Sequence, residues 1–226
     1  LGMAVIWLLP LDQPLENGLF LVSTAAGAPF LVKLTEFAEH DVALSAALLL
    51  LLLPATVIYL PIVVPMALPE AEVSAGAIAL PLVLTMLLPL GAGLLVRTHS
   101  ARWAMRLQPV MGKVSTVSLI VLVGTTFLLN LRAILGLFGT GAVLAAVIVI
   151  TGAFAIGYAL GGRLFERRCA LGLGTAQRGI AAAMVVAAES FGNPDTLVMV
   201  VVSSLVGFSI LFPIASVLSR HAHEHR

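Results

Sequence analysis

Seven long apolar runs, at residues 18–38, 42–68, 76–96, 114–131, 141–162, 170–188 and 196–218, decide what this chain can fold into. Each can cross the roughly 30 Å hydrocarbon core of a bilayer as an α-helix. Lipid offers no partner to an unpaired backbone group, so only helices and closed barrels span it. The runs are continuous rather than alternating, which selects helices. Composition agrees: 60% of the 226 residues are hydrophobic and 10% are charged, against roughly a quarter charged in a soluble domain. The opening run, residues 1–9, is too short to span and reads as part of a helix. The chain starts at Leu1 with neither the basic start nor the small-residue cleavage site of a signal peptide, so further N-terminal helices are expected ahead of it. The expected fold is all-α, a polytopic transmembrane helix bundle of about seven full spans plus one partial span.

Several function classes drop out at once. A net charge of +1 offers no basic surface to nucleic acid, and Cys169, the one cysteine, cannot form an internal disulfide. Ser, His and acidic residues show no nucleophile–base pattern, and the membrane runs contain no metal-ligand spacing. No enzyme, metal site or cofactor is therefore expected, and the lipid bilayer is the expected partner. Arg97, Arg102, Arg106, Lys113, Arg163, Arg167, Arg168, Arg220 and Arg226 fall on one set of span ends, with Arg132 on the other. The positive-inside rule then places the C-terminus in the cytoplasm, in a multi-pass protein of the cell membrane. Residues 99–113, with Arg102, Trp103 and Arg106, read as an interfacial connector, and His221, His223 and His225 as a frayed tail.

Two of the runs are interrupted. In the first, Ser23, Thr24, Gly27 and Pro29 put hydroxyls, a glycine and a proline at mid-membrane depth, followed by Lys33 and Glu36. Proline removes a donor and strains the preceding turn, so a break is expected from Gly27 to Pro29. In the second, Gly172, Gly174 and Gly179 surround Thr175, Gln177 and Arg178. Irregular backbone at such depth persists only where protein or a watery cavity satisfies it. Each break precedes a short polar loop with an aspartate, Asp41 or Asp195, and a long apolar helix with a late proline, Pro61 or Pro213. The two loops fall on opposite sides of the membrane. That describes an inverted repeat, with halves roughly 1–68 and 76–218 inside a single transmembrane transporter domain covering 1–226. Paired interrupted helices in inverted halves point to a transporter's binding site, although glycine and proline are also common in membrane helices as such. A charge at the bilayer centre costs about 2.5–3.5 kcal/mol. Lys33 either pairs with Glu36 one turn on or serves the site; Arg178 has no acidic residue within one turn and reads as functional. Gly157 and Gly161, at small-xxx-small spacing, read as helix packing.

The run Ser23 to Pro29, the sequence Asp41-Val42-Ala43-Leu44-Ser45, the spacing of the later helices and the sequence Gly174-Thr175-Ala176-Gln177-Arg178 resemble the bile acid:sodium symporter family over the whole chain. The resemblance implies a panel domain and a core domain, with two broken helices crossing in the core beside the substrate and sodium sites. It also implies about two and a half helices ahead of Leu1. Where sodium-binding members carry a Gly-Gly-Thr-x-Ser-Asn-like segment, this chain has Gly27, Ala28, Pro29, Phe30, Leu31 and Val32. The family's Ser/Thr ligands of the next helix fall in the apolar run 48–53, and a Glu-x-Gly-x-Gln-Asn pattern aligns with Leu173 to Arg178 and keeps only Gln177. Sodium needs oxygen ligands, so at least one sodium site reads as lost.

The resulting expectation is a secondary transporter of a small organic anion across the cytoplasmic membrane, uncoupled from sodium. Ser23, Thr24, Gly27, Pro29, Lys33, Thr175, Gln177 and Arg178 are the expected substrate-binding residues. Lys33 or Arg178 would supply the charge that sodium supplies in relatives, and a desolvated Lys33 is able to exchange protons as a coupling step. The alternatives are a non-transporting binding or sensory membrane protein on the same fold, marked by ligand binding without flux, and an inactive fragment.

Overall fold

A computed structural model describes residues 1–26, 30–38, 42–68, 74–136, 139–191 and 193–224, and every regular element among them is a helix. The partial first segment is α1 (Gly2–Leu8). The first interrupted run becomes α2 (Gln13–Thr24) and α3 (Phe30–Phe37), and the next is α4 (Val42–Ala67). Then come α5 (Ala75–Leu82), a π-helical stretch (Val83–Leu87) and α6 (Leu88–His99), which follow one another without a gap. The remainder is α7 (Ala101–Gly136), α8 (Ala142–Leu160), the second interrupted run as α9 (Phe165–Ala176) and α10 (Ile180–Ser190), and α11 (Pro194–Glu224). All seven apolar runs thus fall on helices. Among the described residues five stretches are long and apolar enough to cross a membrane by themselves: Val42–Ala67, Ala75–His99, Ala142–Leu160, Phe165–Ser190 and Pro194–Arg220. The other two runs lie on the broken α2–α3 pair and inside α7.

Local chemistry sets several helix ends. Ser74 caps α5 by accepting from Ala77 N at 3.2 Å, and α11 opens on Pro194, with Asn193 Oδ1 accepting from Asp195 N at 2.9 Å. The π-helical stretch lies between Pro81 and Pro89, where missing amide donors loosen the ladder; Thr85 Oγ1 donates to the Pro81 carbonyl at 2.7 Å. The expected connector at residues 99–113 is a correction. From Ala101 onward it is helix, continuous with the apolar part of α7 through Pro109. At about 1.5 Å per residue that 36-residue helix is longer than the hydrocarbon core is thick. Its first turns are exposed, with the Arg106 guanidinium 5.9 Å from the centre of the Trp103 ring.

The helices that follow the two breaks exchange partners. α4 packs on α3 and α11 on α10, while α4 also meets α9 and α11 also meets α2. The trailing halves repeat the exchange, α3 on α9 and α10 on α2. Reciprocal pairing of this kind is what an inverted repeat with two crossing broken helices requires. One core joins Val22 of α2 and Ala25 just past its end to Val57 of α4 and Ala183 of α10. A second joins Leu31 of α3 to Leu173 of α9 and Leu211 of α11. The breaks lie between these cores. α8 fits tightly against α9, because a Cβ at Gly161 would come within 2.4 Å of Arg168 Cα. Gly157 likewise faces Thr175, so the pair acts in packing as its spacing predicts.

Candidate functional site

A helix that stops inside a membrane leaves its last carbonyls without amide donors. α2 stops at Thr24 and α9 at Ala176, and both chains leave in extended conformation, Ala25 at φ −70°, ψ 114° and Gln177 at φ −75°, ψ 109°. The second break then supplies what the first lacks. Gly179 N donates to Ala25 O at 3.0 Å, and Arg178 Nη1 donates to Ser23 O at 3.2 Å. Thr56 Oγ1 of α4 donates to Ala26 O at 3.0 Å. Position 179 requires glycine by distance rather than by torsion: its φ is −73°, yet a Cβ there would lie 2.6 Å from Ala26 O.

Arg178 carries the charge of the site. Its guanidinium sits at the C-terminal end of α2, where the helix dipole favours a cation. Nε is buried, and no described residue accepts a hydrogen bond from it. Among the described residues the one ion pair is Lys33 with Glu36, at 3.2 Å. A full positive charge therefore stands at the crossing with no described carboxylate beside it.

The other expected site residues divide. Ser23 and Thr24 end α2 at the crossing, their hydroxyls bonded back to Phe20 O at 3.0 and 2.7 Å. Gln177 is buried beside Arg178. The Thr175 hydroxyl bonds to Leu171 O and lies against Gly157, so it packs on α8. Lys33 is paired with Glu36 and its side chain is 41% exposed; the structure does not bring it to Arg178. Gly27 and Pro29 lie outside the described residues. Thr56 was missing from the sequence-based set. It is one of the few hydroxyls in a largely apolar α4, with Ser45 and Tyr59, and that scarcity is the signal that points to it. The positions at which the resemblance would place sodium ligands are filled with hydrocarbon. Leu31 and Leu173 are fully buried in one core with Leu48 beside them, and a Cβ at Gly174 would touch Leu31 at 3.3 Å and Leu48 at 3.8 Å.

The fold and the crossing define a class: a multi-pass helical membrane protein built on two interrupted helices that satisfy each other. A family model, the Sodium Bile acid symporter family, matches residues 1–137, more than half of the 226. The chain belongs to that family, and so to a group of membrane transporters of bile acids or other organic anions. A search of curated proteins finds no match. The matched stretch ends before α8, so the second break enters the site through its own hydrogen bonds to the first.

Proposed function

We propose that the chain holds the substrate of a secondary transporter that carries a small organic anion across the cell membrane without sodium. The anion binds where α2–α3 and α9–α10 cross. The observation that carries this reading is Arg178, a buried guanidinium with an unpartnered Nε and no carboxylate beside it among the described residues. Such a charge in a membrane needs an anion, and a passing substrate is an anion that can leave again. Because Lys33 is occupied by Glu36, the role of internal cation falls to Arg178. The lack of sodium coupling is supported by packing. Leu31, Leu48 and Leu173 exclude water from the aligned ligand positions, and the hydroxyls of Thr35 and Ser45 bond to each other at 2.8 Å. A hard cation that has lost its water needs oxygens that these side chains do not offer.

Uptake by the full chain in proteoliposomes, with sodium replaced by potassium or choline, tests both parts, using counterflow across a panel of organic anions to find a substrate. Uptake should persist without sodium and disappear in Arg178→Ala. Sodium-dependent uptake with Arg178→Ala like wild type would overturn the reading. The orientation follows from the basic residues: a cysteine at Met105 should be labelled from the cytoplasmic side and one at Ala71 from outside, once Cys169 is replaced.

A further inference from the structure

We infer that the opening turns of α7 form a docking surface for the headgroups of anionic phospholipids, gripped by Arg102, Arg106 and Lys113. The surface exists because the chain is helix from Ala101 onward. At about 100° per residue, positions 102, 106 and 113 fall within about 40° of one another, in a stripe about 17 Å long. All three side chains are exposed. Lys113 stands next to Val114, where the apolar run of α7 begins. The stripe therefore starts at the edge of the hydrocarbon and runs away from it, through the depth at which lipid phosphates lie. About a quarter-turn round the same helix, Trp103, Leu107, Val110 and Val114 make an exposed apolar stripe. A basic face beside an apolar one, with a tryptophan at the boundary, settles a helix among headgroups. The Arg106 guanidinium, 5.9 Å from the centre of the Trp103 ring, ties the two stripes together.

The elements around the stripe bring it no counter-charge. From Val73 to Phe165 the sequence has no Asp or Glu, although it carries Arg97, Arg102, Arg106, Lys113, Arg132 and Arg163. α7 approaches α3 at Gly112, where an added Cβ would lie 4.0 Å from Lys33 Nζ, and Glu36 of α3 is held by that same lysine at 3.2 Å. Gly112 points about a quarter-turn away from the stripe, so the stripe does not face α3. Among the described residues no ion pair includes Arg102, Arg106 or Lys113. The balancing charge therefore comes from outside the chain, and at the edge of the hydrocarbon the anion at hand is the lipid phosphate. Arginine grips phosphate with two parallel N–H groups, and lysine adds a point charge. A zwitterionic headgroup carries its own cation and leaves the stripe unbalanced, so the surface selects lipids with a net negative headgroup.

Native mass spectrometry of the full chain, released from micelles holding equal amounts of phosphatidylglycerol and phosphatidylcholine with the same acyl chains, tests this. Wild type should retain phosphatidylglycerol in preference to phosphatidylcholine. The triple variant Arg102→Gln, Arg106→Gln, Lys113→Gln should lose roughly tenfold or more of that preference, at about fivefold per cation removed. Arg102→Lys with Arg106→Lys, which keeps the charge, should stay within about threefold of wild type. Arg163→Gln with Arg167→Gln, which removes exposed charge at the turn into α9, should keep most of the preference. Soluble glycerol phosphate should not displace the bound lipid, because it lacks the acyl chains that lie against the apolar stripe. Equal retention of the two lipids by wild type would overturn the proposal. So would an undiminished preference in the triple variant, an equal loss in the variant at the turn into α9, or displacement by glycerol phosphate.

Discussion

At the first break the chain presents carbonyls, those of Ser23, Ala25 and Ala26, whereas at the second it presents an amide and a guanidinium, those of Gly179 and Arg178. Thr56 adds a third donor from α4. Neither set could persist alone, because lipid pairs with none of these groups. The difference also places the charge. Partial negative charge collects at the end of α2 and the full positive charge arrives from the residues after α9, so the electrostatics of the site belong to the contact between the two breaks and not to either break.

Removing the charged donor should have the largest effect. Arg178→Ala is expected to lower uptake at least a hundredfold, about 3 kcal/mol, since it deletes one partner of a buried charge-assisted set. Arg178→Lys should not restore it, as lysine lacks the fork; full activity in the lysine variant would show that charge alone suffices. Gly179→Ala comes next. Its Cβ would press on the Ala26 carbonyl from 2.6 Å, and denaturant unfolding should show a loss of about 1–3 kcal/mol. Wild-type stability there would mean that the breaks are held apart. Thr56→Val should cost about 1 kcal/mol in the same assay, the net worth of one hydrogen bond. No change would remove α4 from the donor set. Lys33→Ala should cost least, within about 0.5 kcal/mol and about twofold in uptake, because its ion pair is exposed at 41% and 62%. Loss of uptake in Lys33→Ala with Arg178→Ala intact would reverse the assignment of the internal cation.

Much of the fold was legible because span length and hydropathy are local properties. The runs at 42–68 and 196–218 correspond to α4 and to the apolar part of α11 within a residue or two. The α7 start was not legible. Polar residues with Pro109 and Gly112 resemble a connector, yet proline can sit inside a long helix when an exposed face lets the backbone adjust. The π-helical stretch was hidden as well, since prolines mark a disturbance without fixing its form. Arg178 could be singled out from its sequence neighbours, but its partner Ser23 lies 155 residues away. Thr56 escaped for the same reason. Nothing within a turn of it on α4 foretells its bond to Ala26 O, which only the folding of α4 across the break creates.

The same 155-residue separation has a meaning for biosynthesis. Translation adds about 5–20 residues per second, so the first break enters the bilayer roughly 8–30 s before the residues that satisfy it exist. During that interval the carbonyls of Ser23 and Ala25 face a partner not yet made, and α2 and α3 have no reason to hold their final angle. Nascent chains halted before Gln177 should therefore be cut near the first break by a protease that spares chains extended past α10. If both lengths resist equally, some other element guards the break first. Should the shorter chains be cut, the moment of ribosomal synthesis at which Arg178 emerges is the moment at which this protein acquires its interior.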